Sequence, residues 1–190
     1  MYQGTGTRKG ETVANRLRYL YLAYLSKPKS DRAIYRAIRR QNVRKILEIG
    51  IGGVPRALRM IDLAKRYAGG EAVRYVAIDL FEARPEGSGG LSLKEAHRVF
   101  KATGAQVQLI PGDTGAVARS ANSLQNMDLV IISAEHDDAA LEKSWFYLPR
   151  MLQPTSLVYR ETRVDGTIVP VLLPASQIEA LATANRRRAA

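Results

Sequence analysis

Three carboxylates in this chain stand at or beside the ends of short apolar runs, where they could bind a polar ligand. They are Glu48 within the run 46–49, Asp79 at the end of the run 75–79, and Asp113 shortly after the run 107–110. A carboxylate in such a place can accept hydrogen bonds from ribose hydroxyls or from an ammonium group. Because the carboxyl ends of parallel strands meet at one edge of a sheet, we expect the three acids to face a shared crevice.

Closely spaced glycines follow the first of these runs, at Gly50, Gly52 and Gly53. Glycine permits backbone angles and a close approach to a ligand that a Cβ atom would prevent. Pro55 suits the first turn of a following helix, and apolar residues continue at helical spacing as far as residues 69–70. The segment therefore predicts a strand, a ligand-binding turn and a helix. The alternative is a glycine turn with a purely structural role.

His136 is the best candidate for proton chemistry. The chain has two histidines, and His97 lies inside a predicted helix, whereas His136 follows a predicted strand. A histidine there could take a proton from a hydroxyl or an amine, because its ordinary pKa lies near physiological pH, and Glu135 is the second candidate. Glu135 and His136, with the acids at 137 and 138, could also hold a divalent ion. An acidic helix start is favoured instead, and no metal is predicted.

Apolar runs and helical patterns alternate along the chain. Beyond the first strand, further strands are predicted over 75–80, 107–110, 129–133 and 156–160. A helix is predicted to open at the capping box of Ser92 and Glu95, and another is predicted over about 139–152. Five strands that alternate with helices require mostly right-handed crossovers. The pattern therefore predicts an α/β fold with a doubly wound, mostly parallel sheet.

The order of these elements resembles that of the class I S-adenosylmethionine-dependent methyltransferases, over roughly residues 43 to 162. The segment 43–54 is similar to the family's first motif, an acid followed by glycines, and Asp79 and Asp113 match the acids after the second and third strands. The segment 132–136, then Trp145 and the run 148–154, resembles the small-molecule O-methyltransferase-like branch. The resemblance implies a Rossmann-like fold with S-adenosylmethionine as the methyl donor.

The resemblance also implies roles for particular residues. The donor would be held by Glu48, Gly50, Gly52, Gly53, Asp79, Gly112, Asp113 and Ser133. In the family the first motif lies against the methionine and ribose, the second acid binds the ribose hydroxyls, and the third reads the adenine amino group. His136 or Glu135 would assist an oxygen or nitrogen acceptor, although positioning alone can supply much of the rate of a methyl transfer.

Two departures from the family pattern leave a second function open. Ser133 replaces the acid that usually ends the fourth strand, and 159–161 stands where metal-dependent members place further acids. The alternative is a methyltransferase-fold protein without catalysis that serves as a binding or assembly module. A nicotinamide-dependent oxidoreductase is less favoured, because the turn lacks the final glycine spacing that packing against a pyrophosphate prefers.

Composition predicts a single cytoplasmic domain with a basic extension. The chain has 190 residues and no cysteine, so disulfides and thiol catalysis are excluded, and it shows neither a long apolar run nor a signal peptide. Residues 1–45 carry twelve Lys or Arg against two acids, a formal +10 of the total +11. We therefore divide the chain into a basic helical extension, 1–42, and a donor-binding α/β domain, 43–190. The glycine-rich segment 86–90 is expected to form part of a lid.

The extension is predicted to form two amphipathic helices that pack on the sheet or on a partner chain. The apolar face of the first helix consists of Val13, Leu17, Leu20, Tyr21, Tyr24 and Leu25. Its cationic surface could bind nucleic acid or another acidic surface, or could simply keep the protein soluble. At the other end, Asp165-Gly166 predicts a hairpin that adds an antiparallel strand over 167–173. This ending is reduced for the family, so a homo-oligomer could complete the site, and the methyl acceptor is not identified.

Overall fold

A computed structural model of the chain describes residues 12–85, 90–136 and 138–188. Six strands form one sheet in the order β3-β2-β1-β4-β5-β6. Their bounds are β1 Lys45–Ile49, β2 Arg74–Asp79, β3 Gln106–Pro111, β4 Met127–Ile132, β5 Leu152–Val164 and β6 Thr167–Leu173. The first five strands pair in parallel, and β6 pairs antiparallel with β5. The predicted α/β fold with a mostly parallel sheet is confirmed.

Helices cover both faces of the sheet. Their bounds are α1 Val13–Leu20, α2 Arg32–Gln41, α3 Val54–Tyr67, α4 Leu93–Lys101, α5 Gly115–Ser120, α6 Asp138–Tyr147 and α7 Ala175–Arg188. The face that carries α2, α3 and α4 buries one apolar cluster, and the face that carries α5, α6 and α7 buries another. Successive strand residues point to opposite faces. In β1, Leu47 and Ile49 belong to the second cluster, whereas Glu48 points toward the face covered by α3.

The local signals for turns and helix starts are largely confirmed. Ser92 and Glu95 form a capping box at the start of α4. Asp165 and Gly166 both have positive φ angles, 49° and 73°, as a two-residue turn of a hairpin with right-handed twist requires. The helix predicted over 139–152 is too long, because α6 ends at Tyr147 and a short 3₁₀ turn, Leu148–Met151, follows. Pro149 explains the break, since it cannot donate the backbone hydrogen bond that would continue an α-helix.

The N-terminal helix packs on the core through a different face from the predicted one. A π-helical segment, Tyr21–Leu25, continues α1, and the buried residues are Tyr19, Leu22 and Ala23. The predicted apolar face is instead exposed, with Val13 76% and Leu17 61% accessible. Packing of that face on the sheet was therefore a wrong prediction, whereas its contact with a partner chain stays a prediction.

Arginines of the extension hold the N-terminal segment together and attach it to the core. The Arg32 and Arg36 side chains donate hydrogen bonds to the carbonyl oxygens of Ser26 and Ala23, at 2.8 and 3.0 Å. The guanidinium of Arg39 lies 4.4 Å from the ring centroid of Tyr19 and 5.4 Å from that of Tyr67 in α3, and these cation–π contacts join the extension to the core. Arg32 and Arg36 satisfy carbonyl groups where the π-helical segment ends, and Arg39 stabilises the packing of α1 through its ring contacts.

Two further expectations from the sequence concern the lid and membrane-spanning helices. Of the predicted lid, residues 86–89 lie outside the described residues, and Gly90 is described. None of the described helices combines the length and the apolar composition that a membrane-spanning helix needs.

Candidate functional site

The site residues gather where the loops after β1, β2 and β4 meet. The order of strands reverses between β1 and β4, so the crossovers from these two strands leave in opposite directions. A crevice opens at such a point outside the carboxyl ends of the strands, and ligands of open α/β sheets bind there. A cavity of about 290 Å³, the first cavity, occupies this position. It is lined by residues 51–54, Asp79, Phe81, Arg84, Gly90, Leu91 and Glu135.

The glycine turn is shaped by contacts on both of its sides. Gly50 has φ +79°, and a Cβ atom there would lie 2.7 Å from Cβ of Ser133 and 2.9 Å from Nε2 of His136. A side chain at residue 50 would therefore be strained and would clash with the loop after β4. A Cβ atom on Gly53 would instead meet nothing within 4 Å, and no side chain caps the N-terminus of α3. The turn thus leaves open space at a helix N-terminus, which favours an anionic group.

Asp79 is buried at the end of β2 and accepts hydrogen bonds from both sides of the first cavity. Its Oδ2 atom accepts from the backbone N–H of Ile51 at 2.7 Å, and its Oδ1 atom accepts from the backbone N–H of Phe81 at 2.9 Å. The Arg84 side chain also donates to both oxygens, at 2.6 and 3.1 Å. Burial alone would raise the pKa of Asp79, but these hydrogen bonds outweigh it and lower the pKa. The carboxylate is therefore held ionised.

Arg84 spans the mouth of the first cavity. Besides Asp79, it binds Oε2 of Glu135 at 2.9 Å, so one guanidinium links the loop after β2 to the loop after β4. The Glu135 carboxylate is about half exposed, whereas the Arg84 side chain is 13% exposed. A ligand that uses Asp79 must compete with Arg84 for its oxygens.

His136 lies beside the glycine turn. Its Nε2 atom is buried and has no hydrogen-bond partner among the described residues. Burial lowers the pKa of His136, and this effect outweighs the opposite influence of Glu135 and Asp79. The imidazole is therefore mainly neutral near physiological pH and can accept a proton.

Asp113 is the least enclosed of the three predicted acids. It is exposed after β3, where its Oδ1 atom accepts a hydrogen bond from the backbone N–H of Gly115 at 2.9 Å. The neighbouring Gly112 has φ +145° and donates its N–H to the carbonyl oxygen of Asp79 at 2.9 Å. This bond joins the ends of β2 and β3, so Asp113 lies at the same carboxyl edge of the sheet as Asp79.

Glu48 is fully buried beneath the glycine turn and does not line the first cavity. Its Oε1 atom accepts from Nη2 of Arg56 at 3.0 Å, and its Oε2 atom accepts from the hydroxyl of Tyr75 at 2.5 Å. Nη1 of Arg56 also forms an ion pair with Oε1 of Glu161 in β5. Burial raises the pKa of Glu48 in spite of Arg56 and Tyr75. The two glutamates flank Arg56 and raise its pKa, although burial acts in the opposite direction.

A second cavity, of about 580 Å³, lies on the other side of the glycine turn. Gly52 and Gly53 line both cavities. The other walls come from the extension at Lys27, Pro28, Ser30 and Asp31, from α3 at Pro55, Arg56 and Arg59, and from the β5–β6 hairpin at Glu161 and residues 166–168. The extension and the hairpin therefore build a pocket that adjoins the first cavity.

The structure brings together most of the predicted site residues. The first cavity unites Gly52, Gly53, Asp79 and Glu135, and the loop contacts place Gly50, Ser133 and His136 beside it. Glu48 is separate, in the buried ion network. Sequence reasoning missed Asp31, Arg56, Arg84 and Glu161 as members of the site. Arg56 did carry a signal, because a basic residue in the first turn opposes the helix dipole and needs another reason to be there.

Among the described residues, no group of three or more His, Asp or Glu side chains is arranged to hold a metal ion. The ligand types present at the crevice are carboxylates, backbone N–H groups and one imidazole. These groups suit hydroxyl, amine and carboxylate partners.

Comparisons with known proteins bear on the fold. No protein-family model and no curated protein matches the chain. The chain is similar to the O-methyltransferase TomG from Streptomyces achromogenes, solved in complex with SAM, at 14% identity over 94% of this chain and 78% of TomG, with a TM-score of 0.51. Cofactor-bound Rv0187 from MTB is 16% identical over 93% and 76% of the two chains, with a TM-score of 0.47. The TomG similarity shows that this chain has the fold of that methyltransferase.

Proposed function

We propose that this protein is an S-adenosylmethionine-dependent methyltransferase that acts on an oxygen or nitrogen acceptor. The observation that carries the proposal is the first cavity, in which an open glycine turn and a buried, ionised Asp79 meet at the reversal point of the sheet. The methyltransferase fold agrees with this function, but one fold can host many functions, so the proposal rests on the residues of the site.

The residues of the first cavity fit the donor's functional groups. Asp79 presents carboxylate oxygens to ribose hydroxyls, and the uncapped N-terminus of α3 favours a carboxylate such as that of methionine. Ile51, Phe81 and Leu91 supply apolar walls. The cavity volume is close to the lower end of the range of about 300–1,000 Å³ for ligand sites. When bound, the donor supplies an electrophilic methyl group on a sulfonium.

The other predicted contacts belong to the same proposal. Gly50 and Ser133 shape the floor of the crevice, and Gly112 and Asp113 would contact the adenine. His136 would take the proton of the acceptor, because burial keeps its imidazole neutral and its Nε2 atom, beside the glycine turn, has no partner among the described residues. Glu135 stands at the mouth of the first cavity as the second candidate. Glu48 would act indirectly, by holding Arg56 beneath the turn.

Titration calorimetry with S-adenosylhomocysteine tests the proposal. We expect saturable binding to a single site, because the product of the donor retains its ribose and its amino-acid group. NADH at the same concentration should give no saturable heat, which separates this proposal from a nicotinamide-dependent oxidoreductase. Absence of S-adenosylhomocysteine binding at millimolar concentration would contradict the proposed function.

Arg84→Ala should tighten S-adenosylhomocysteine binding about fivefold. The wild-type protein must give up the ion pair between Arg84 and Asp79 before ribose can use the carboxylate. Because the two side chains are only 13% and 3% exposed, the cost of desolvating them offsets much of their attraction, which leaves the pair worth about 1 kcal/mol. The dissociation constant from calorimetry checks this, with Arg98→Ala on the exposed side of α4 as the control that should leave it unchanged. Weaker binding of the Arg84 variant would show that Arg84 contacts the ligand instead of competing with it.

A further inference from the structure

The second cavity contains a carboxylate oxygen that nothing in the described structure satisfies. Glu161 lies in β5 with a side chain that is 2% exposed, and its Oε1 atom binds Arg56. Its Oε2 atom is buried and has no hydrogen-bond partner among the described residues. A buried carboxylate oxygen without a donor is costly, and such atoms are uncommon in folded proteins. A ligand that carries a hydrogen-bond donor would therefore satisfy this oxygen of Glu161.

Gly52 leaves space at this oxygen. A Cβ atom on Gly52 would lie 3.0 Å from Oε2 of Glu161 and 2.7 Å from Nη2 of Arg56. Because residue 52 has no side chain, no Cβ atom fills the space between the otherwise buried Glu161 carboxylate and the wall that the two cavities share. A group bound at Glu161 would thus lie beside the glycine turn of the first cavity.

The buried ion network beside the second cavity carries more formal negative than positive charge. Glu161, Asp31 and Arg56 are buried and line the cavity, and buried Glu48, which does not line it, pairs with the same Arg56. Two further lining cations, Lys27 and Arg59, are exposed and partly buried, and Arg59 donates to the carbonyl oxygen of Lys27 at 2.8 Å. Buried charges are normally paired, so one guanidinium among three carboxylates favours the binding of a further cation. Among the described residues, no group of three or more His, Asp or Glu side chains is arranged for a metal ion, so the cavity favours a nitrogen cation.

We propose that the second cavity binds a protonated amine, which donates hydrogen bonds to Oε2 of Glu161 and to the Asp31 carboxylate. The inference rests on the proposed function, in which such an amine belongs either to the methyl acceptor or to the amino-acid end of the donor. A neutral hydroxyl could fill the hydrogen bond to Glu161, but it would leave the surplus negative charge uncompensated. The second cavity therefore favours an ammonium group over a neutral hydroxyl.

Benzylammonium and benzyl alcohol, which have similar shapes and differ in charge, are the probes. We expect benzylammonium to shift the backbone amide NMR signals of Gly52 and Ile168 in the full-length protein, and to bind at least tenfold more tightly than benzyl alcohol. Glu161→Gln keeps the size of the side chain and should weaken benzylammonium binding at least tenfold. Glu179→Gln, on the exposed surface of α7, is the matched control and should leave binding unchanged. Asp31→Asn should weaken binding in the same direction, which provides a second test if the Glu161 variant fails to fold.

Adenosine ligands distinguish the two sources of the amine. If the acceptor supplies it, Glu161→Gln leaves S-adenosylhomocysteine affinity unchanged, and benzylammonium binds to the protein already loaded with S-adenosylhomocysteine. If the donor supplies it, Glu161→Gln weakens S-adenosylhomocysteine at least tenfold but does not affect 5′-methylthioadenosine, which lacks the amino-acid group. Benzylammonium that fails to bind wild-type protein, or binds both forms of residue 161 equally, would overturn the inference. Retained benzylammonium binding without any S-adenosylhomocysteine binding would contradict the proposed function alone.

Discussion

Asp79→Asn is expected to weaken S-adenosylhomocysteine binding about 100-fold. The carboxylate is held ionised at the end of β2, and a hydrogen bond from a hydroxyl to a charged acceptor is worth about 1.5–3 kcal/mol. An amide of the same shape removes the charge and turns one acceptor into a donor, so two ribose hydroxyls cannot both be accommodated. Calorimetry at neutral pH measures the loss directly.

Two controls separate this effect from damage to the fold. Asp62→Asn changes a partly exposed acid on α3 that pairs with Arg18 and Arg66. Asp62 does not line the first cavity, so this substitution should leave binding unchanged. Circular dichroism and thermal unfolding should show that the Asp79 variant is folded at the temperature of the titration. An Asp79 variant that folds and binds like the wild-type protein would show that this carboxylate does not hold the ligand.

Arg56→Met should lower the free energy of unfolding by about 3–5 kcal/mol, which is a large share of a typical domain's stability. The substitution leaves Glu48 and Glu161 buried without the cation that lies between them. Urea unfolding measures the change. Arg66→Met is the matched control on the same helix, because its pair with Asp62 is partly exposed and should contribute less than about 1 kcal/mol.

The loss of unfolding free energy caused by Arg56→Met should be smaller at pH 5 than at pH 7.5. Burial raises the pKa of Glu48 in the folded protein above its unfolded value of about 4.3. Protonation of Glu48 therefore stabilises the folded protein fully below the unfolded pKa, and this stabilisation is lost as pH rises through the folded pKa. Without Arg56 the folded pKa rises further, and the protonated form persists to higher pH. Adding Glu48→Gln and Glu161→Gln to Arg56→Met should recover much of the loss, because these two residues then no longer place buried charges beside the missing cation. A deficit that is independent of pH would contradict this account.

Local patterns in the sequence predicted the elements whose causes are local. The apolar runs gave the parallel strands, Ser92 and Glu95 gave the start of α4, and Asp165-Gly166 gave the turn between β5 and β6. Each of these signals lies within a few residues of the structure it specifies. The glycine turn could be predicted for the same reason, since strand, glycines and helix follow one another directly along the chain.

The partners of the predicted carboxylates could not be read in this way. Glu48 was predicted to hold the donor, and that role stays a prediction, but its hydrogen-bond partners Arg56 and Tyr75 depend on the packing of α3 and β2 against β1. Glu161 joins the same network from more than a hundred residues away along the chain. Side-chain pairing over such separations is decided by the register of the sheet, which periodicity does not give.

The N-terminal helix shows a different limit. Hydrophobic periodicity favoured Val13 and Leu17 as the packed face, yet these residues are exposed and Tyr19 is buried. Polar and cation–π contacts decide the orientation, since the Arg66 side chain donates to Oδ1 of Asn15 at 2.9 Å and Arg39 lies against Tyr19. A pattern based on apolar residues alone does not include these interactions.

The anchoring arginines of the extension affect how its charge can be studied. Arg32, Arg36 and Arg39 contribute to the basicity that suggested a polyanion partner, and they also fix the N-terminal segment in place. Neutralising them would release the segment and lower the charge together, so a loss of polyanion binding could not be assigned to either cause. Exposed Arg16 and Arg40 are the better positions for charge-neutralising substitutions, because they allow electrostatic attraction to be tested in a protein whose N-terminal segment stays attached.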